Sequence, residues 1–77
     1  MDKQVTKKQL EEACALILKY KLGSTSLLQR KMKLSYRMAS AIMLKLEQLK
    51  IVSEFGGGKP RKILKNEIEI NEILKQL

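Results

Sequence analysis

The stretch from Ser26 to Leu64 leaves little choice of architecture. It opens with a brief basic segment ending at Met32 and turns through Lys33-Leu34-Ser35. A longer segment follows, with apolar side chains at Ala39, Ile42, Met43, Leu46 and Leu49. Three- and four-residue spacing of this kind marks the buried face of an α-helix. Ser35 stands just before it, where a hydroxyl accepts from a backbone N–H that the first turn leaves unsatisfied. Ile51 to Phe55 then alternates from a β-branched start, Gly56-Gly57-Gly58 supplies a tip, Pro60 bars helix, and Arg61 to Leu64 returns. Short helix, tight turn, longer helix and glycine-tipped hairpin follow one another without a gap. That order is the plan of a winged helix-turn-helix.

The flanks complete the plan. Thr6 and Gln9 have capping-box spacing, so a first helix is expected from about Lys7 to Lys21, stopping at Gly23 in the left-handed conformation. Its inner stripe is Leu10, Ala13, Cys14, Ile17 and Leu18; Ala15 and Leu16 widen that stripe, which implies packing on two sides. Ser24-Thr25 is read as an extended link beside the wing, and Ser26 as the cap of a second helix over Leu27 to Met32. The third helix runs from Tyr36 to about Lys50. Asn66 and Glu69 again fit a capping box, and Ile70, Ile73, Leu74 and Leu77 follow at i, i+3, i+4 and i+7. The expected fold is α+β, mostly α: a winged helix-turn-helix of three helices and a small β-wing over residues 1–65, with an added C-terminal amphipathic helix over residues 66–77.

Composition narrows the function. A chain of 77 residues makes one small domain and buries only about 60% of the surface its unfolded form exposes. There is no histidine, and no pair of acids falls in segments expected to share a pocket, so neither catalytic residues nor enzyme activity are expected. One cysteine without histidine cannot assemble a zinc site, and no metal or cofactor is expected. Cys14 reads as a small core residue. Gly58-Lys59 lacks the earlier glycine and the following Ser or Thr of a phosphate loop; Ser53 and Pro60 stand there. No secretory or membrane-spanning run is present, which gives a cytoplasmic expectation.

The charge points to a partner. Residues 24–65 hold ten basic side chains against Glu47 and Glu54, a net +8 that equals the net charge of the whole chain. Residues 1–23 hold five against three, and residues 66–77 hold one against three. Clustering of this kind suits a polyanion. Arg30, Lys31 and Lys33 would hold backbone phosphates, and Lys59, Arg61 and Lys62 of the wing would take phosphate or minor-groove contacts. Tyr36 is expected as a packing and phosphate-facing anchor. The outward face of the third helix carries Arg37, Met38, Ala41, Leu44, Lys45 and Gln48. Arg37 suits a guanine edge, and Ser40, Lys45 or Gln48 would reach bases or phosphates. Met38, Ala41 and Leu44 donate nothing, so a protein contact or wider burial are the alternatives for the same face. The stripe Ile70, Ile73, Leu74 and Leu77 must find a surface, either the wide face of the first helix or a second chain in a homodimer. The expected function is a DNA-binding accessory factor using duplex phosphates; the alternatives are a protein-docking subunit of a larger DNA-processing enzyme (polymerase, helicase or partition complex) and, after it, a transcriptional regulator.

The chain also resembles the C-terminal gamma domain of the FtsK/SpoIIIE DNA translocases over about Leu10 to Leu64. The resemblance rests on Ser26-x-x-Gln29-Arg30, the turn ending in Tyr36, the Ile51-Val-Ser-Glu54 strand and the Pro60-Arg61-x-x-Leu64 return. It implies a winged helix that handles duplex DNA; in that family the domain binds short G-rich polarity sequences and touches a site-specific recombinase. Members usually carry Asn-Arg-Ala-Ala-Arg after the Tyr, with the Asn and both Arg reading DNA. Those reading positions hold Arg37, Met38 and Ala41 here, so the family's sequence preference is not carried over. The motor that precedes the domain in that family is not in this sequence. The expectation is a free-standing accessory in DNA replication or processing, beside a polymerase, helicase or partition complex on a mobile element.

Overall fold

The computed structural model describes residues 5–56 and 59–77. Four helices appear in chain order: α1 Lys7–Tyr20, α2 Thr25–Met32, α3 Tyr36–Gln48 and α4 Glu67–Lys75. Both expected capping boxes are formed. Gln9 N donates to Thr6 Oγ1 at 3.1 Å and Thr6 N to Gln9 Oε1 at 3.0 Å. At α4, Glu69 N donates to Asn66 Oδ1 at 2.8 Å and Asn66 N to Glu69 Oε1 at 2.9 Å. Ser35 caps α3, accepting from Met38 N at 3.1 Å.

The helix ends depart from expectation in an instructive way. α1 stops at Tyr20, and Lys21, not Gly23, takes the left-handed conformation at φ 53°. Gly23 serves another purpose. It bridges Arg61, whose N–H donates to the Gly23 carbonyl at 2.9 Å, and a Cβ on Gly23 would lie 2.4 Å from the Arg61 carbonyl oxygen. This pairing holds Ser24 extended, so Ser24, not Ser26, becomes the cap of α2, accepting from Leu27 N at 3.3 Å. Thr25 and Ser26 lie inside the first turn, and Gly23 in place of Ser24-Thr25 is the residue that joins the arm. α2 and α3 also exit through left-handed lysines, Lys33 at φ 54° and Lys50 at φ 63°.

Residues 51–64 form an arm of three described antiparallel bridges rather than two continuous strands: Gly23–Arg61, Val52–Ile63 and Gly56–Lys59. Ser53 N donates to the Lys62 carbonyl at 2.9 Å and Leu64 N to the Ile51 carbonyl at 2.8 Å, so the two expected segments pair with each other. Gly57 and Gly58 of the expected tip lie outside the described residues, as do Met1 to Gln4.

α1 lies at the centre and touches α2, α3 and α4. The expectation that it packs on two sides therefore holds. One hydrophobic cluster gathers Leu10, Ala13, Cys14 and Ile17 of α1 with Ala39, Ile42, Met43 and Leu46 of α3, and with Ile51 and Val52 of the arm. Ile70 and Leu74 of α4 belong to the same cluster, exposed by only 1% and 5%. The α4 stripe thus closes on its own α1; Ile73 is half-buried, while Leu77 is exposed. No described helix is long and apolar enough to cross a membrane.

Candidate nucleic-acid interface

The α2–α3 turn concentrates positive charge. Arg30 and Lys31 occupy the last turn of α2, where cations suit the negative end of the helix dipole. Lys33 follows in the left-handed turn, and Tyr36 and Arg37 open α3; all five side chains are exposed. Tyr36 therefore contributes little packing, contrary to its expected anchoring part. Between Ala13 and Leu46 the chain carries seven cations and no acid. That run includes all of α2, the turn and most of α3.

Helical periodicity places Arg37, Ala41, Leu44 and Gln48 along the outward face of α3, opposite Ala39, Ile42, Met43 and Leu46. Leu44 is 50% exposed, whereas Met38, Ser40, Ala41 and Lys45 are half-buried at the edges of this face. A polar rim surrounds a small apolar middle.

The arm divides its charges. Lys59 and Lys62 are exposed, but Arg61 turns inward. Its Nη1 donates to Glu47 Oε1 on α3 and to the Ser53 carbonyl at 3.2 Å, and its guanidinium carbon lies 5.8 Å from the Phe55 ring centroid. Arg61, expected as a phosphate contact, thus directs Nη1 into the protein. Alternation carried the signal. In an extended segment Arg61 and Ile63 share one side and Lys62 and Leu64 the other, and Lys62 and Leu64 are the exposed pair. Glu47, the first acid after the cationic run, is the partner that charge counting overlooks. Ser53 was overlooked as well; its hydroxyl accepts from Lys62 N at 2.8 Å.

Tyr20, at the end of α1, is a further residue missed by reading charge alone. Lys31 Nζ lies 5.2 Å and Lys19 Nζ 5.6 Å from its ring centroid. The hydrogen bond from Lys31, then the charges of Lys31 and Lys19, pull the phenol below the usual tyrosine range. Cys14 is the opposite case: burial pushes its thiol up to about 11, which leaves it protonated and poorly nucleophilic at neutral pH.

Residues of α1 and α4 line a groove of about 450 Å³ that includes Cys14, Ala15 and Leu18, with both acids and lysines (Glu11 and Glu67, Lys7 and Lys75) among its lining. Among the described residues no group of three His, Cys, Asp or Glu side chains could hold a metal ion.

The geometry defines a small, basic, mostly helical domain in which a cationic helix pair and a bridged arm share one core. Residues 5–66 match the sequence model of the FtsK gamma domain, and the chain belongs to that family. It is 43% identical to the DNA translocase FtsK of Caldanaerobacter subterraneus subsp. tengcongensis over 67 residues, which is 87% of this chain and 9% of that protein. It is likewise 43% identical over 68 residues to the DNA translocase FtsK of Chlorobaculum tepidum, or 87% of this chain and 8% of that protein. With the DNA translocase SpoIIIE of Bacillus subtilis it shares 30% identity over 70 residues, 91% of this chain and 9% of the other. The chain spans less than a tenth of the length of these curated relatives.

Proposed function

We propose that the chain is a winged-helix module that binds duplex DNA mainly through its phosphates, as an accessory to a DNA translocase or a comparable DNA-processing machine, and without catalysis of its own. α2, the turn and α3 form the helix-turn-helix, and the arm is the wing. The observation that carries this reading is the run of exposed cations across the α2–α3 turn, in a stretch of sequence without acids, together with the exposed Lys59 and Lys62 of the arm. Family membership and the DNA translocases among its relatives support it. Arg37, at the start of α3, is positioned for a base edge, and the others serve as phosphate contacts that set register without reading sequence.

A salt titration tests the proposal. With about five phosphates neutralised, the logarithm of the binding constant for random duplex should fall against log salt with a slope of about −4 to −5. A flat dependence, or no binding at low salt, rejects it. On a preferred site, Arg37→Ala should cost about 1–3 kcal/mol and relax preference at one position. A second reading rests on Leu44, half exposed amid the outward face of α3: that face docks a protein partner in a DNA-processing complex. Leu44→Glu would then abolish partner capture while leaving duplex binding in place.

A further inference from the structure

The duplex-binding reading assigns contacts to the end of α2, to the turn, to α3 and to the arm; Lys31, at the edge of that surface, also converges with Lys19 on an exposed aromatic ring. Tyr20 ends α1, and its ring meets Lys19 from its own helix and Lys31 from α2, with Nζ atoms 5.6 Å and 5.2 Å from the centroid. Lys21 follows in the left-handed conformation at φ 53°. All four side chains are exposed, and no acid occurs between Ala13 and Leu46 to offset them within this part of the chain.

An ammonium over an exposed ring is attracted to its π face. Two ammonium groups on one ring also repel each other, and that repulsion is relieved when an anion sits between them. A phosphate oxygen is an anion of the kind that two such ammonium groups attract. The phenol O–H can donate to it, and the two ammonium groups flank it with charge-assisted hydrogen bonds. The ring acts as a spacer that keeps two flexible lysines close to one spot on the surface, so less side-chain freedom is lost when the anion arrives.

Resting on the duplex-binding reading, we propose that Tyr20, Lys19 and Lys31 form a second backbone clamp at the joined ends of α1 and α2, which grips a DNA phosphate outside the groove met by α3. The clamp lengthens the footprint and adds affinity without adding sequence preference.

The test uses the full chain and a fluorescein-labelled random 20-base-pair duplex, with anisotropy followed across a salt series. Lys19→Gln should weaken binding about threefold and reduce the magnitude of the salt slope by about 0.9, the value of one phosphate contact. Tyr20→Leu should weaken binding by a similar factor at an unchanged melting temperature, because its exposed ring supports no core. Lys59→Gln, in the arm, serves as the reference for the proposed function. If Lys59→Gln weakens binding while Lys19→Gln and Tyr20→Leu leave both affinity and slope at wild-type values, the clamp is overturned and the duplex reading stands. If the unaltered chain fails to bind duplex at low salt, both are overturned together. Lys19 is an exposed side chain outside the core, so its variant decides the matter even where Tyr20→Leu folds poorly.

Discussion

Arg61 on the arm and Glu47 near the end of α3 form an ion pair, Nη1 to Oε1, with side chains only 12% and 27% exposed. The same guanidinium nitrogen reaches the Ser53 carbonyl at 3.2 Å. One side chain therefore fastens the outgoing half of the arm, the returning half and α3 together. Lys59 and Lys62 lie on either side of Arg61 in the returning half, and neither takes part in the pair.

Loss of the fastener has a calculable cost. Arg61→Ala leaves the Glu47 carboxylate and the Ser53 carbonyl partly buried without this donor, which should destabilise the domain by about 1–3 kcal/mol in thermal or urea melts. In a double-mutant cycle, Arg61→Ala and Glu47→Ala should couple by about 1 kcal/mol or more. Strictly additive losses would show that the two side chains act separately. Duplex affinity should fall as the arm loosens, while the salt slope stays near its original value because Arg61 holds no phosphate.

Gly23 secures the arm from the other side. A methyl group there would press on the Arg61 carbonyl oxygen at 2.4 Å, and a backbone oxygen in a bridge cannot move aside as a side-chain end would. Gly23→Ala should therefore cost about 1–3 kcal/mol, the usual range for overpacking a fitted site. Amide exchange at Arg61, whose N–H donates to the Gly23 carbonyl, should accelerate more than exchange at Ile70 in α4. Equal acceleration at both would mean global destabilisation without local loosening.

How far the sequence revealed these features depends on their physical range. Helix existence was legible because Ala39, Ile42, Met43 and Leu46 repeat at helical spacing, and both capping boxes were legible because each is closed within three residues. The left-handed stop of α1 was assigned to Gly23 in place of Lys21 because the requirement for a glycine at position 23 comes from Arg61, distant in sequence, and not from the helix end beside it. That error moved the α2 cap from Ser24 to Ser26. At the candidate site, Lys31, Lys33 and Lys62 are exposed as cations in water are expected to be. The inward turn of Arg61 was not legible from net charge, which carries no direction, whereas alternation along the returning segment does. Tyr20 could not be recognised without the approach of α2, which brings Lys31 to its ring.

Left-handed lysines separate stability from binding. A left-handed residue with a Cβ costs about 1–2 kcal/mol where glycine pays little. Lys33→Gly should therefore stabilise the domain by about 1 kcal/mol and at the same time reduce the magnitude of the salt slope by about 0.9. Lys33→Ala removes the charge but keeps the strain, and should weaken binding equally without the gain in melting temperature. A Lys33→Gly protein that binds duplex as well as the original would remove this lysine from the interface.

The fourth helix tests whether an apolar stripe serves its own core or a second chain. Ile70 and Leu74 are buried against α1, and each such side chain contributes about 1.5–3 kcal/mol by leaving water. Ile70→Ala should then cost about 2–5 kcal/mol, a large fraction of the stability of so small a domain. Truncation after Lys65 removes both side chains and bares Cys14 and more of Leu18, which line the groove. The truncated chain should unfold at lower temperature, and its Cys14 thiol should become open to alkylation. In sedimentation the full chain should be monomeric, since the buried half of the stripe is already engaged. Ile68 and Leu77 provide the opposing check, because both are exposed on α4 or just beyond it. A full chain that sediments as a dimer and dissociates on Ile68→Glu or Leu77→Glu would show that α4 joins chains through its outer side as well as closing its own core.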